Sequence, residues 1–212
     1  MHLIEMKVSM PFTKFSVLQK LTLNDCVKAQ ECDKLFYPSS LKSLSIDSDS
    51  TFLKGIGKVS LTSLSIGAAE CFTVKKSLIK SLVTLHSLFV SRFDKIEIPI
   101  SKSITKLVID NSSQSADLSA FKALTVLGVS NSRIKLKLPK SLKTIFISTI
   151  IPELINLQNV NVVELNLFRT DPEKMDLLKS ESVTRLSILP FEKRKFEDYQ
   201  HLFPQLHPLY FN

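Results

Sequence analysis

The stretch Leu124-Thr-Val-Leu127-Gly-Val129 carries the pattern that decides the fold of this 212-residue chain. An aliphatic residue is followed by two others, a second aliphatic residue, one other and a third aliphatic residue. The phrase occurs eleven times, counting a fainter copy near each end, with starts 15 to 24 residues apart and a mean spacing of about 20. Its copies begin at Leu3, Leu18, Leu41, Leu61, Leu85, Ile104, Leu124, Leu142, Val162, Val183 and Leu206.

The phrase has the spacing of a β-strand with one buried side. Its last two aliphatic residues are two positions apart, so on a strand they point the same way. One copy cannot bury this face alone, and neighbouring copies must stack to build a continuous core. The pattern therefore predicts a single α/β solenoid domain over residues 1–212, with a parallel sheet of about 10–11 strands and an irregular opposite side.

This phrase at this spacing resembles the leucine-rich repeat family over about residues 3–212. The resemblance implies a horseshoe with the parallel sheet on its concave face. The family usually has Asn or Cys three residues after the last strand aliphatic, where the side chains form a hydrogen-bonded ladder with the backbone. Only Cys26 fits outright, so we expect the ladder to be mostly missing. Possible polar substitutes are Asp49, Ser112, Ser132 and Thr170, and the remaining positions are Ala69, Phe93, Ile150 and Phe191.

A second phrase, Pro-x-Ser-Leu, precedes some strands, as in Pro38-Ser-Ser-Leu41 and Pro139-Lys-Ser-Leu142, with a longer variant at Pro99. It resembles short repeats of protist and some bacterial-effector leucine-rich proteins. Proline fixes φ and lacks an N–H donor, which suits the start of a strand.

The segments between strands predict a convex side of mixed structure. Capping residues or helical spacing favour short helices within Asn24–Phe36, Ser115–Leu124, Asp171–Leu178 and Glu192–Leu202. Alternation with period two favours extended pieces at Ile96–Ile100 and Ile134–Leu138.

The composition indicates a cytoplasmic protein, with the nucleus as the other candidate compartment. Cys26, Cys32 and Cys71 are too few and too irregular for a disulfide framework, which suits reducing conditions. The first residues do not read as a signal peptide, and no apolar stretch reaches the 18 residues of a membrane span.

The sequence contains no recognisable catalytic or metal-binding motif. Its four histidines, His2, His86, His201 and His207, lack zinc-site spacing, and Gly55 and Gly57 lack the residues of a phosphate-binding loop. We therefore predict a protein that is not an enzyme and has no catalytic residues, cofactor or metal.

Residues that alternate with the buried aliphatics point outward onto the concave face. The early copies present mostly serine there, and apolar groups appear from about the fifth copy onward, with charged neighbours. The sequence predicts a partner-binding patch made of Phe89, Lys106, Val108, Val126, Phe146, Glu164, Phe168, Arg185 and Leu189. The competing interpretation is structural, since aromatic and β-branched residues also stabilise a sheet by packing across strands.

We therefore predict a non-catalytic scaffold that binds another protein on its concave face. One alternative, implied by the family, is a recognition or regulatory part of a ubiquitin-ligase or phosphatase complex. Another is a basic surface for nucleic acid or anionic lipid, since the net charge is +8 with lysine clusters at Lys75–Lys76, Lys135–Lys143 and Lys193–Lys195. These clusters lack interleaved aromatic residues, so we do not expect nucleic acid or an anionic membrane as the main partner. Strand phrases close to both ends also suggest self-association through uncapped ends.

Overall fold

The structure, a computed structural model, describes residues 1–8, 11–28, 37–48, 50–53, 55–67, 82–92, 102–112, 116–132, 135–148, 156–169, 178–189 and 195–208. The chain forms two compact units, Met1–Ile104 (unit 1) and Thr105–Asn212 (unit 2). Each unit contains five parallel strands that begin about 20 residues apart, with little helix. The predicted parallel-sheet solenoid is thus confirmed. The prediction that residues 1–212 form a single domain stays a prediction.

In unit 1 the five strands pair in parallel and in chain order. They are β1 (His2–Ile4), β3 (Lys20–Asn24), β5 (Ser43–Asp47), β6 (Ser63–Gly67) and β7 (Ser87–Ser91). Two shorter strands, β2 (Lys7–Val8) and β4 (Val27–Lys28), form a separate parallel pair.

In unit 2 five further strands pair in the same way. They are β8 (Lys106–Asp110), β10 (Val126–Ser130), β12 (Thr144–Ser148), β13 (Glu164–Phe168) and β14 (Arg185–Leu189). The two-residue strands β9 (Ala116–Asp117) and β11 (Leu136–Lys137) form a second small parallel sheet.

The repeated aliphatic residues form the core of each unit. Leu127 and Val129 of β10 are buried, as are Leu165 and Leu167 of β13. Each such side chain contributes about 1.5–3 kcal/mol when it is removed from water. The residues between them face outward, as the period-two pattern predicts.

The first copy of the phrase lies in a different register from the prediction. The phrase Leu3-x-x-Met6-x-Val8 assigned Leu3 to the start of a copy, but Leu3 pairs directly with Leu23, the last aliphatic of the next copy. The outward residues in this strand are therefore His2, opposite Thr22, and Ile4, opposite Asn24. The prediction was wrong because a three-residue strand satisfies only the end of the pattern, and Val8 belongs to β2 instead.

Six of the described strands, β1, β3, β7, β8, β10 and β13, end in a left-handed turn two residues after the last aliphatic position. Non-glycine residues there have φ between 45° and 60°. In this turn the backbone N–H of such a residue donates a hydrogen bond to the last carbonyl of the next strand. Asn111 bonds the Ser130 carbonyl in this way (3.0 Å), and Arg169 bonds the Leu189 carbonyl (2.8 Å). The residues are Glu5, Asp25, Arg92, Asn111, Asn131 and Arg169. This added hydrogen bond offsets the steric cost of the left-handed conformation.

A side-chain ladder follows the turn in two places. In unit 2 the Ser112 N–H donates to Ser132 Oγ (3.0 Å), and that hydroxyl donates to the Ser130 carbonyl (2.7 Å). In unit 1 the Cys26 N–H donates to Ser48 Oγ at 2.9 Å, so Ser48, one residue before the predicted Asp49, takes part in a ladder here. Ser112 and Ser132 lie where the sequence placed them. Asp49, Ala69, Phe93, Ile150, Thr170 and Phe191 lie outside the described residues.

The Pro-x-Ser-Leu phrase forms a turn that joins one repeat to the one before. The Leu142 N–H donates to the Pro139 carbonyl (3.3 Å), and Ser141 Oγ donates to the Leu124 carbonyl (2.7 Å). Ser40 bonds the Leu18 carbonyl in the same manner at 2.8 Å. A matching turn, from the Leu206 N–H to the Phe203 carbonyl (2.9 Å), begins the last predicted copy, whose later residues lie outside the description.

The connecting segments contain less helix than the sequence suggested. The described part of Ser115–Leu124 is a short strand followed by turns. The Leu118 N–H bonds the Lys137 carbonyl of the next repeat (2.8 Å), the Phe121 N–H closes a turn on the Leu118 carbonyl (3.0 Å), and the Leu118 and Phe121 side chains are buried. Residues 24–28 likewise contain no helix: they comprise the end of β3, the left-handed Asp25 and strand β4. Helix α1 covers Glu197–Gln200 within the predicted Glu192–Leu202, and Leu136–Lys137 is extended as predicted.

Other connections are 3-10 turns or lie outside the described residues. The 3-10 turns are Phe12–Lys14, Ser50–Leu53 and Ile56–Lys58. Gly55 precedes the last of these with φ 87°, a left-handed conformation that glycine adopts without steric cost. The predictions for residues 29–36, 96–100 and 171–177 fall outside the description.

Candidate functional site

The outward side chains of unit 2 form three rows across β8, β10, β12, β13 and β14. The paired residues of adjacent strands lie directly opposite one another, so each row is fixed by the register. The first row is Lys106, Val126, Thr144, Glu164 and Arg185. The second is Val108, Gly128, Phe146, Asn166 and Ser187. The third is Asp110, Ser130, Ser148, Phe168 and Leu189.

Three large apolar side chains of these rows are exposed to solvent. Phe146 is 39 % exposed, Phe168 40 % and Leu189 44 %, and they lie on the consecutive strands β12, β13 and β14. We call these three residues the sheet-face patch. Val108 and Val126, which the sequence placed in the same surface, are half-buried. The exposed apolar surface of unit 2's sheet is therefore concentrated on three strands.

The members of the sheet-face patch are close enough to be covered by one ligand side chain or one short segment. Phe168 and Leu189 are directly opposite on adjacent strands, which lie about 4.8 Å apart. Phe146 is opposite Asn166, two residues before Phe168, so the Phe146 and Phe168 Cα atoms lie about 8 Å apart on a diagonal. The three residues thus form one continuous surface.

Charged and polar side chains border the sheet-face patch on one side. Glu164 and Arg185 are directly opposite in the first row. Glu164 is diagonal to Phe146, since its partner Thr144 is two residues before Phe146, whereas Arg185 is four residues before Leu189 on β14. Asn166, in the second row, donates from Nδ2 to Glu164 Oε1 at 3.1 Å. Lys106 is exposed but lies on β8, three strands from β13. Glu164 therefore borders the patch directly, Arg185 lies one row beyond it, and Lys106 is at the far side of this face.

Gly128 brings Val108 and Phe146 into the same shallow surface. A Cβ atom at Gly128 would lie 3.2 Å from both Cγ atoms of Val108, which shows that the valine side chain leans over the glycine. Gly128 itself is buried. The valine therefore occupies part of the space that a side chain at position 128 would need.

A polar corner borders the third row. Asp110 Oδ1 accepts hydrogen bonds from Ser130 Oγ (2.6 Å) and from Asn131 Nδ2 (3.2 Å). Sequence reasoning missed this corner, although its signal was present: Asp, Ser and Asn follow the last aliphatics of β8 and β10. The third row is therefore polar on β8 and β10 and apolar on β13 and β14.

Unit 1 has a different face. Its rows present Ser43, Ser63 and Ser87 in one and Thr22, Ser45, Ser65 and Phe89 in the next. Phe89, the predicted site residue of this unit, is half-buried opposite Ser65. The small polar face predicted for the early copies is what the register produces, and Phe89 belongs to it rather than to the sheet-face patch.

Histidine, cysteine and acidic side chains also occur elsewhere among the described residues. No group of three or more His, Cys, Asp or Glu side chains comes together there as a metal site. Cys26 is a free, buried thiol that donates to the Leu3 and Asn24 carbonyls at 3.5 and 3.4 Å. In the described part of the chain, no helix has the length and apolar character needed to cross a membrane.

No protein-family model matches the chain, and no curated protein matches its sequence.

Proposed function

We propose that this solenoid is a leucine-rich repeat protein that binds a partner protein through the sheet-face patch of unit 2. One observation carries the proposal: Phe146, Phe168 and Leu189 are each about 40 % exposed on three consecutive strands. Water-exposed aromatic side chains on a rigid sheet lose little conformational freedom on binding, and such anchors often dominate binding energy. We propose the cytoplasm as the compartment, which a free, buried Cys26 supports.

The border of the patch suggests the chemistry of the partner. Glu164 carries a negative charge diagonal to Phe146, and Arg185, opposite it in the first row, carries a positive charge on the same face. A partner with an apolar side chain at its centre and both charge signs around it would match this arrangement. No observation favours the alternative of a ubiquitin-ligase or phosphatase complex, which stays a prediction implied by the family.

The test is affinity capture with three forms of the protein as bait. The patch variant Phe146→Ser/Phe168→Ser/Leu189→Ser removes the proposed anchors. The control variant Val17→Ser/Val27→Ser/Val83→Ser removes three apolar side chains that are 86 %, 57 % and 76 % exposed on unit 1. Circular dichroism establishes that all three forms have the same fold.

We expect one or more proteins to be retained by the wild type and by the control variant but lost from the patch variant. Each anchor removed should weaken binding by about tenfold or more. If the wild type and the patch variant retain the same proteins, the exposed aromatic residues stabilise the sheet only, and the proposal is wrong.

A further inference from the structure

A half-enclosed hollow of about 1020 Å³ lies in unit 2 and shares no residue with the three rows of the sheet face. The small sheet of β9 and β11 forms one wall, since pairing of these strands places Asp117 opposite Lys137. The turn that follows β9 adds Lys122, and the segment that follows β11 adds Lys140. The hollow is thus built by the return segments of two adjacent repeats, with Asn156 and Asn159 from a third.

Positive charge dominates the lining of this hollow. It contains four lysines, Lys122, Lys135, Lys137 and Lys140, and one carboxylate, Asp117. Lys137 Nζ lies 3.4 Å from Asp117 Oδ2. The Asp117 carboxylate also accepts the hydroxyl and backbone N–H of Ser119, and these hydrogen bonds, with Lys137, hold its pKa below the usual value. The one negative charge is therefore already satisfied within the protein, which leaves three lysines for a ligand.

Apolar residues on the floor of the hollow strengthen its preference for an anionic ligand. Leu136 and Val160 are 5 % and 7 % exposed, and Pro139 is buried beside them. Apolar groups lower the local dielectric constant, so attraction between the lysines and an anion is stronger here than on an open surface. Neutral donors complete the lining: Asn156 Oδ1 accepts the Gln158 N–H at 2.9 Å, so the amide nitrogen of Asn156 can donate to a ligand.

The geometry points to a binding site for a compact ligand that carries several phosphate groups, held by Lys122, Lys135 and Lys140. Its volume lies at the upper limit of the range of about 300–1,000 Å³ found for small-molecule sites, which favours a small molecule over an extended chain. The described lining has no aromatic side chain on which a nucleobase could stack, and lysines bind phosphate as point charges. The phosphates could belong to a free metabolite or to the headgroup of a lipid, and the two sources share this chemistry.

The test uses sodium tripolyphosphate as the probe and calorimetry as the measurement. The hollow variant Lys122→Gln/Lys135→Gln/Lys140→Gln is compared with the control variant Lys14→Gln/Lys42→Gln/Lys58→Gln, which removes the same charge from exposed lysines of unit 1. We expect the hollow variant to lose about 30-fold or more in affinity and the control variant about threefold or less. A third variant, Asp117→Asn, frees Lys137 and should bind the probe more tightly than the wild type.

A second arm separates the two phosphate sources. Phosphatidylcholine vesicles with about 5 mole per cent phosphatidylinositol bisphosphate should sediment the wild type but not the hollow variant if the ligand is a lipid headgroup. Tripolyphosphate binding without vesicle binding would identify a free phosphate compound instead. Equal weakening of the two lysine variants, or no tripolyphosphate binding, would overturn the inference. So would a single-stranded oligonucleotide that binds through these lysines while tripolyphosphate does not.

Discussion

At the scale of single residues, the repeats are held in place by hydroxyl groups that bond the backbone of a neighbouring repeat. Ser132 is only 1 % exposed, and its hydroxyl both accepts the Ser112 N–H and donates to the Ser130 carbonyl. The aliphatic phrase supplies the apolar core, but these serines satisfy the backbone where the strands end. Removal of a buried hydroxyl group should therefore lower the stability of the unit that contains it.

The substitution Ser132→Ala should lower the free energy of unfolding by about 1–3 kcal/mol, because it leaves the buried Ser112 N–H without an acceptor. Urea denaturation at neutral pH is the measurement. The control is Ser16→Ala at an exposed position, for which we expect a change within about 0.5 kcal/mol. Equal, small effects for both would show that the ladder does not stabilise unit 2.

Tyr37 should make unit 1 less stable in alkaline solution. Its ring stacks on Phe12 with centroids 5.6 Å apart, its hydroxyl donates to the Phe52 carbonyl, and burial raises its pKa above the usual value. The folded state therefore keeps the proton when the unfolded chain, with a pKa of about 10, has lost it. This stability is fully present below pH 10 and is lost as the pH rises above that value.

The measurement is urea denaturation of the wild type and Tyr37→Phe at neutral pH and at several pH values above 10. We expect the variant to be less stable at neutral pH, since it lacks the hydrogen bond to Phe52, but to lose less stability in alkali. Other groups titrate in both proteins, so the difference between them isolates Tyr37. Parallel curves above pH 10 would contradict the assignment.

At the scale of elements, the repeated phrase determines where the parallel strands lie, whereas local contacts determine the conformation of the segments between them. The strand register could be predicted because a shift by one residue would expose every aliphatic of a copy. Helix α1 illustrates the other case, since it is four residues long and leads into the buried Leu202 and Phe203. The Ser180 N–H bonds the Leu202 carbonyl (3.1 Å), which ties this segment to the turn before β14.

The substitution Phe203→Ala should reveal how strongly this segment supports unit 2. The ring is fully buried, so its removal leaves a cavity and should cost about 3–5 kcal/mol in unfolding free energy. The matched control is Phe168→Ala, at a ring that is 40 % exposed, for which we expect at most about half that cost. Thermal unfolding followed by circular dichroism compares the two. A larger cost at Phe168 would mean that the sheet-face patch serves mainly the stability of the sheet.

Much of this fold could be predicted from the sequence, and the misses have physical causes. The rows of the sheet face follow from the phrase alone, since parallel pairing keeps equivalent residues opposite one another. Solvent exposure could not be predicted in the same way: Val108 is half-buried because it leans over Gly128, a contact that involves two strands. Leu118 and Phe121 suggested a helix by their spacing, yet a turn buries both.

At the scale of the whole molecule, unit 2 presents two surfaces of different chemistry. The sheet-face patch is apolar with a mixed-charge border, and the hollow between the return segments is lined by lysines. The lysine cluster around Lys135 was visible in the sequence, but Lys122, Asn156 and Asn159 join it only through the stacking of repeats. A chain with a net charge of +8 therefore concentrates part of that charge at one place.

The measurement that tests the central claim most directly is the affinity of a captured partner at low and high salt. The proteins compared are the wild type, Phe168→Ser and the hollow variant. We expect Phe168→Ser to weaken binding by about tenfold or more. Raising the salt concentration, or substituting the three lysines as in the hollow variant, should change the affinity by about threefold or less, because apolar contacts do not release counterions. A steep loss of affinity with salt and in the hollow variant, with none in Phe168→Ser, would contradict the claim that the sheet-face patch binds the partner.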